Sequence, residues 1–187
     1  MNNLCVYCGS SNGQRLAYRE AAITLADLMC EQNIGLVYGG ASVGLMGVIA
    51  DRVLDRGGHV IGVMPESLVR HEVAHAGLSE LHVVDSMHAR KALMADLADG
   101  FVALPGGFGT LDELFEMLTW SQLSLHSRPC GLLNVEGYFD ALVSFMDHAT
   151  VEGFVRPVHR NLAIVEHSPQ HLIARMSAFE APEATKW

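Results

Sequence analysis

One glycine-rich segment, residues 104–113, combines residue types that can hold an anion with residue types that can do acid–base chemistry. Its sequence is Leu-Pro-Gly-Gly-Phe-Gly-Thr-Leu-Asp-Glu. A short apolar run precedes it and apolar residues at helical spacing follow it, so we expect a strand, a tight turn and a helix. A helix N-terminus offers unpaired N–H groups and the positive end of the helix dipole, which favour an anion. The segment therefore predicts a turn that binds a phosphate or a nucleotide.

Thr110 and Glu113 also have a purely structural interpretation. Thr110 is placed to cap the predicted helix, and Glu113 follows three residues later, in the spacing of a capping box. A carboxylate beside a bound phosphate is unfavourable unless it faces another part of the ligand. If the phosphate lies on the turn, Glu113 reaches the sugar, where a carboxylate can stabilise an oxocarbenium-like transition state or position a water. Both interpretations stay open at this point.

Two adjacent cations, Arg90 and Lys91, lie near the start of the preceding predicted helix, which Asp85-Ser86 would cap. Cations at a helix N-terminus oppose the helix dipole, and a bound anion would offset that cost. We therefore expect an anion site here, with ordinary surface cations as the alternative. The only other lysine is Lys186. Because a pyridoxal-phosphate enzyme needs a Schiff-base lysine, that chemistry is poorly supported.

Two further motifs match reactive sites by letter only. Residues 71–75 read His-Glu-Val-Ala-His, the HExxH pattern of zinc proteases, but they lie in a polar connection where we expect a solvated loop near the ligand. Cys5 and Cys8 form a CxxC, yet three of its four residues fall in a predicted strand, whereas redox pairs lie at helix N-termini. We therefore predict neither a metal site nor a redox site.

Strands alternate with helices along the chain without a break in composition. The predicted strands are 4–7, 35–38, 59–64, 81–84, 101–104, 131–134 and 162–165. This order predicts an α/β fold, a doubly wound, Rossmann-like and mostly parallel sheet with helices on both faces. We expect one domain over residues 1–179, irregular structure at 66–80 and a flexible tail at 180–187.

Two more turns are expected at the carboxyl edge of this sheet, where open α/β sheets bind ligands. Gly9-Ser10 follows the first strand, and Gly39-Gly40 follows the second. An ordinary loop remains the alternative for the first of these. No Gly-Lys-Ser/Thr follows either glycine-rich turn, and no acidic residue ends the second strand, so Walker A and nicotinamide sites are not favoured.

The composition limits the partners. Half of the 187 residues are hydrophobic and the net charge is −9, so a large core is possible. An acidic chain without a basic run is a poor partner for nucleic acid or an anionic membrane, but a small phosphate ligand needs only a local positive site. There is no signal-peptide pattern and no apolar run near the ~18 residues of a membrane span, so we expect a cytoplasmic protein.

These motifs resemble the signature of a known family. Residues 105–113 fit the pattern PGGxGTxxE of the LOG (Lonely Guy) family of cytokinin-activating phosphoribohydrolases, whose members are often labelled possible lysine decarboxylases. Further stretches fit at 8–11, 38–47, 87–91 and 119–123, so the resemblance extends over residues 3 to 165. Within the signature, no position departs from the pattern.

The resemblance implies an enzyme that needs no metal or other cofactor. It would hydrolyse the N-glycosidic bond of a nucleoside 5′-monophosphate, either N6-prenylated adenosine monophosphate or AMP itself, to a free base and ribose 5-phosphate. Arg90 and Glu113 would be the catalytic pair. The residues implied to line the substrate site are Glu72, Lys91, Gly106, Gly107, Gly109, Thr110 and Thr119. From the predicted turns we add Gly9, Ser10, Gly39, Gly40 and Phe108 as substrate-binding candidates.

The resemblance also implies a homodimer or a larger assembly whose site is completed at the subunit interface. The competing prediction is a non-catalytic protein that binds a nucleotide or the molybdenum cofactor, because related folds keep a similar glycine-rich turn. The presence of both Arg90 and Glu113 favours the enzyme.

Overall fold

In a computed structural model, which describes residues 1–69 and 74–182, the chain forms one seven-stranded sheet flanked by helices. The strands are β1 (Asn3–Tyr7), β2 (Gly35–Tyr38), β3 (Val60–Pro65), β4 (Glu80–Val84), β5 (Gly100–Ala103), β6 (Cys130–Leu133) and β7 (Ala163–Glu166). The helices are α1 (Leu16–Glu31), α2 (Gly44–Asp55), α3 (Glu66–Val69), α4 (Met87–Asp96), α5 (Phe108–Gln122), α6 (Asp140–Val151), α7 (Pro157–Arg160) and α8 (Pro169–Ser177).

The strand order is β4-β3-β2-β1-β5-β6-β7, and every neighbouring pair is parallel. From β1 the chain builds the sheet outward to β4, then returns to the other side of β1 and builds outward to β7. The order in which strands are added reverses between β1 and β5. There Leu4 of β1 is paired with Leu36 of β2 on one side and with Gly100 of β5 on the other. This confirms the predicted doubly wound fold, and it places the topological switch point at the loops that follow β1 and β5.

Helices cover both faces of the sheet. The central strands β1, β2 and β5 are almost wholly buried, as expected for parallel strands covered on two sides. One core cluster joins the sheet to α1, α2 and α8 through residues such as Leu25, Ile49 and Leu172. On the other face, Met94 of α4 and Met117 of α5 pack with β-strand residues. Both helices are thereby packed against the sheet.

The structure differs from the sequence-based prediction in three connections. The predicted irregular segment contains α3, and the short helix α7 was not predicted, although Pro157 at its first turn is a typical start signal. A 3₁₀ turn at Val135–Gly137, which was also not predicted, contains Glu136 (φ +52°) and Gly137 (φ +71°) and precedes α6. Most of the predicted tail, residues 183–187, lies outside the described residues. Within the described ranges, no helix is long and apolar enough to cross a membrane.

Candidate active site

The loops that follow β1, β2 and β5 meet at the switch point. The N–H of Gly9 donates to the Pro105 carbonyl at 3.1 Å, and the N–H of Leu45 donates to the Gly9 carbonyl at 3.0 Å. A Cβ on Gly106 would lie 2.1 Å from Thr110 Oγ1 and 2.9 Å from the Gly9 nitrogen. Gly106 is therefore required by this close approach of two backbone segments.

A cavity of about 210 Å³ lies between these loops on the side of the sheet that carries α4 and α5. It is lined by Cys8, Gly9, Ser10, Met46, Arg90, Gly107, Phe108, Gly109, Thr110 and Glu113. Eight of these residues were candidates from the sequence, and residues far apart in the chain come together here. Cys8 and Met46 were not candidates, because an apolar residue on a strand end or helix carries no chemical signal in the sequence.

The N-terminus of α5 opens onto this cavity without a side-chain cap. The helix begins at Phe108, Gly107 occupies the N-cap position, and no side chain caps it. The predicted capping box is therefore wrong: Thr110 is the third residue of the helix and Glu113 the sixth, because the helix starts before Thr110 rather than after it. With no cap, the first-turn N–H groups remain available for an anion.

Gly107 and Gly109 have no packing reason to be glycine within the described chain. A Cβ built on either residue meets no atom within 4 Å, and Phe108 between them is 94% exposed. The space over this turn is thus open to something outside the chain. A ligand that approaches the backbone closely would explain both residues.

Arg90 places a fixed positive charge in the cavity wall. It lies on α4, whose first turn is capped by Ser86, and it is only 7% exposed. Its Nε donates to the Val63 carbonyl at 3.0 Å and its Nη2 to the Gly39 carbonyl at 3.3 Å. Among the described residues, no carboxylate forms an ion pair with it. The guanidinium has one more contact, a weak one of 3.8 Å from Nη1 to Met87 Sδ. A buried guanidinium with no carboxylate partner favours an anionic ligand.

Gly39 and Gly40 support this arrangement rather than line the cavity. A Cβ on Gly39 would lie 2.0 Å from Arg90 Nη2, so only glycine leaves room for the guanidinium. Gly40 has a φ of +82°, which favours glycine, and its carbonyl accepts a hydrogen bond from the N–H of His75. Both residues shape the loop after β2.

Glu113 faces the same cavity from α5 with a strongly perturbed carboxyl group. It is half-buried, and no described residue hydrogen-bonds to its carboxylate. Burial raises the pKa of Glu113 to about 7, although the nearby Arg90 charge opposes this shift. A carboxyl group that titrates near neutral pH in a cavity, with a cation beside it, is typical of an acid–base or charge-stabilising residue.

The structure places Lys91 and Thr119 outside this cavity. Lys91 Nζ pairs with Asp112 at 3.1 Å and Glu116 at 3.2 Å. Thr119 lies on the exposed side of α5, where its Oγ1 donates to the Phe115 carbonyl at 2.7 Å. Glu72, with most of the HExxH motif, lies outside the described residues.

Lys91 is poorly suited to Schiff-base chemistry, which requires a neutral amine. Burial disfavours its charged form, but the hydrogen bond to Asp112 and the close Glu116 carboxylate outweigh that effect, so the pKa of Lys91 is raised. The amine is held as an ammonium ion between two carboxylates. Lys186 lies outside the described residues.

The described parts of the other two motifs are structural in character. Cys5 and Cys8 are buried, and burial raises the pKa of both thiols, which disfavours the reactive thiolate. His75 Nε2 lies 2.8 Å from Asp51 Oδ1. Across residues 1–69 and 74–182, no group of three His, Cys, Asp or Glu side chains is arranged to hold a metal ion.

A second cavity, of about 280 Å³, lies toward the face covered by α1. It shares Gly9, Ser10 and Gly107 with the first cavity and is also lined by Ser11, Asn12, Gly13, Tyr18, Leu45, Pro105, Gly106 and Tyr138. Tyr18 and Tyr138 were not candidates from the sequence. Tyr138 reaches the loop only because β6 pairs with β5, and no sequence motif indicated that pairing.

Several known proteins are similar to this chain in sequence, in fold or in both. Residues 46–176 match the family model described as "Possible lysine decarboxylase". The chain is 47% identical over 176 residues to cytokinin riboside 5′-monophosphate phosphoribohydrolase LOG1 of Arabidopsis thaliana, covering 94% of this chain and 83% of that protein. It is 49% identical over 170 residues to LOG2 of the same plant, covering 90% and 80%.

One solved structure of the same fold is the molybdenum cofactor binding protein from the phototrophic bacterium Rippkaea orientalis. Its TM-score with this chain is 0.71, with 94% of this chain and 95% of that chain covered. The two sequences are only 22% identical, so this likeness supports the fold alone.

Proposed function

The chain belongs to the LOG family, and from that membership we propose that it is a phosphoribohydrolase acting on cytokinin riboside 5′-monophosphates and related adenosine monophosphates. The products are the free base and ribose 5-phosphate. One observation carries the proposal beyond family membership: an uncapped helix N-terminus, the Arg90 guanidinium, which has no described carboxylate partner, and the Glu113 carboxyl group line one cavity. Together they match the phosphate and the glycosidic carbon of such a substrate.

The phosphate is proposed to bind the turn from Gly106 to Thr110. The open first-turn N–H groups of α5 and the helix dipole favour a dianion there. Because the phosphate does not react, its binding energy is available to hold the sugar in a reactive position. This role explains why Gly107 and Gly109 leave open space over the turn.

Glu113 is proposed to act on the sugar. As the bond between C1′ and the base nitrogen breaks, positive charge develops on C1′ and the ring oxygen, and a carboxylate facing them stabilises that charge. The same carboxylate orients the water whose oxygen bonds to C1′. That water loses one proton, and the departing base nitrogen takes up one proton. Arg90 is proposed to bind the ligand and assist departure of the base. Glu72, Lys91 and Thr119 are proposed to line the site in the assembled protein.

We also propose a cytoplasmic homodimer that can assemble further, with its site completed across the subunit interface. The position of Thr119 supports this, because it lies outside the cavity that contains Glu113, beside the apolar side chains of Phe115 and Trp120. Large exposed apolar side chains shortly after Thr119 in the chain, Leu123 and Leu125, are typical of an interface. Four free cysteines fit a reducing compartment.

The test is incubation of the protein with AMP and with isopentenyl-AMP, followed by chromatography of the free base. We expect base release from at least one nucleotide, and a loss of at least about 100-fold in kcat for Glu113→Gln and for Arg90→Ala. Arg19→Ala and Glu20→Gln make the same chemical changes on exposed positions of α1 and serve as controls.

Full activity of Glu113→Gln or of Arg90→Ala would contradict the catalytic role proposed for that residue. Tight binding of a nucleotide without any release of base would instead support the competing function, a non-catalytic nucleotide-binding protein.

A further inference from the structure

Tyr138 contacts the phosphate-binding turn from the side opposite to Arg90 and Glu113. Its hydroxyl donates a hydrogen bond of 2.5 Å to the Gly106 carbonyl. Its ring is held by edge contacts with Tyr18, at 5.6 Å between centroids, and with Phe139, at 4.9 Å. These ring contacts orient the hydroxyl, which reaches the turn beside the second cavity although Tyr138 is 42% exposed.

The hydrogen bond from Tyr138 also sets the direction of the Gly107 N–H, because both groups belong to the Gly106–Gly107 peptide. In a planar trans peptide the C=O and N–H groups point in opposite directions. The Gly106 carbonyl accepts from Tyr138, in the cavity beside α1, so the N–H of Gly107 in the same peptide group points away from Tyr138. Gly107 also lines the cavity with Arg90 and Glu113, and it is toward this cavity that we infer the N–H to point. Within the described chain, no acceptor pairs with this N–H.

This peptide group has little else to fix its orientation. It lies between two glycines, which accept more backbone conformations than other residues, and a Cβ on Gly107 would touch nothing within 4 Å. Rotation of the peptide would turn the carbonyl oxygen, a partial negative charge, toward a bound phosphate. A hydrogen bond to the carbonyl opposes that rotation.

We propose that Tyr138 is a positioning residue: its hydroxyl holds the Gly106–Gly107 peptide so that the Gly107 N–H is presented to the substrate phosphate. This inference rests on the proposed function only in taking a phosphate as the ligand of the turn. Tyr138 does not touch the reacting atoms. Its contribution is made equally in the ground state and the transition state, so it acts on KM rather than kcat.

The test compares Tyr138→Phe with Tyr18→Phe. Both variants lose one hydroxyl in the same cavity, but among the described residues the Tyr18 hydroxyl has no hydrogen-bond partner. We expect Tyr138→Phe to bind ribose 5-phosphate about tenfold more weakly by calorimetry, with KM raised to the same extent and kcat within about twofold. Tyr18→Phe should match the wild type.

An NMR titration of the wild type with ribose 5-phosphate reads the proposed donor directly. The Gly107 amide proton should move downfield on binding, and the movement should be reduced in Tyr138→Phe. Unchanged ribose 5-phosphate affinity in Tyr138→Phe, an equal loss in Tyr18→Phe, or a Gly107 amide that does not respond in the wild type would each overturn the inference. A protein that binds ribose 5-phosphate in this way but releases no base would retain the inference and lose the proposed function.

Discussion

Glu113 illustrates how one side chain can be costly to the fold and useful in the site. Its carboxyl group has no hydrogen-bond donor within the described chain, and burial raises its pKa to about 7. Only the ionised form of Glu113 can stabilise a cationic sugar, whereas burial in the cavity favours the neutral form. Two measurements follow from this conflict.

The first concerns activity against pH. With the pKa of Glu113 raised to about 7, the carboxylate is depleted below neutral pH, so kcat/KM should rise up to about pH 7 and then level off. A bound phosphate dianion raises this pKa further, so the kcat profile should lie at higher pH than the kcat/KM profile. Inhibition by ribose 5-phosphate over the same range corrects for the substrate phosphate, whose own second pKa is about 6. A flat profile from about pH 5 to 9 would contradict the role of Glu113.

The second concerns stability. Between its ordinary pKa of 4.5 and the folded value of about 7, Glu113 binds a proton in the native state but not in the unfolded state, so its ionisation lowers stability as pH rises. Glu113→Gln should therefore be more stable than the wild type at pH 8, by about 1–2 kcal/mol after allowance for its partial exposure, with little difference near pH 4. Urea unfolding at both pH values measures this. An equal difference at both would show that ionisation is not the cause.

At the scale of elements, the ends of β2 and β3 hold a residue of α4 in place. The carbonyls of Gly39 and Val63 accept the Arg90 hydrogen bonds, so the guanidinium is oriented by the sheet rather than by a carboxylate. Sequence reasoning found Arg90 through its position beside Lys91, and it grouped the two cations together. The structure separates them, because successive residues on a helix point about 100° apart. Arg90 enters the cavity, and Lys91 pairs with carboxylates of α5.

The support that Gly39 gives to Arg90 can be measured with a double-mutant cycle. Gly39→Ala places a Cβ 2.0 Å from Arg90 Nη2, so the guanidinium must move, and we expect at least a tenfold loss of activity with a loss of stability of about 1–3 kcal/mol. In an Arg90→Ala background the clash is gone, and the same change should alter stability by less than about 0.5 kcal/mol. An equal cost in both backgrounds would place the strain elsewhere.

Element boundaries also show where a sequence is informative. The buried strands β1, β2 and β5 were predicted because parallel strands covered on both faces are continuous apolar runs. The start of α5 was predicted wrongly, because glycine at an N-cap gives a weaker signal than the threonine that follows it. Tyr138 could not be predicted, since its contact depends on the pairing of β6 with β5 rather than on its neighbours in the chain.

At the scale of the whole molecule, the proposed dimer would divide the site between subunits, with Thr119 supplied by the partner. Glu113 and Arg90 line one cavity of one chain, whereas Thr119 lies on another surface of the same helix. If that surface completes the site of a partner, damage at Thr119 and damage at Glu113 of the same chain affect different sites. This arrangement can be recognised by mixing inactive proteins.

We expect Thr119→Arg to block the partner's site, and Glu113→Gln to inactivate its own. After denaturation and refolding of an equal mixture, half of the dimers are mixed and each has one intact site, so activity should recover to about a quarter of the wild-type value. Mixing Glu113→Gln with Arg90→Ala is the matched control, because both residues serve the same chain's cavity and no intact site can form. If the first mixture stays inactive as well, Thr119 does not act across an interface.

The Gly106–Gly107 peptide group has a consequence for how such a protein can diverge in evolution. Its carbonyl accepts a hydrogen bond from Tyr138, whereas Arg90 and Glu113 line the cavity on the other side of the turn. In the proposed site, the hold on the anion and the chemistry performed on the ligand would thus depend on different side chains. Substitutions on α4 and α5 can alter what happens to the rest of the ligand while the anchor beneath the turn stays intact. A lineage can thereby exchange catalysis for simple carriage, or the reverse, without first losing its hold on the phosphate.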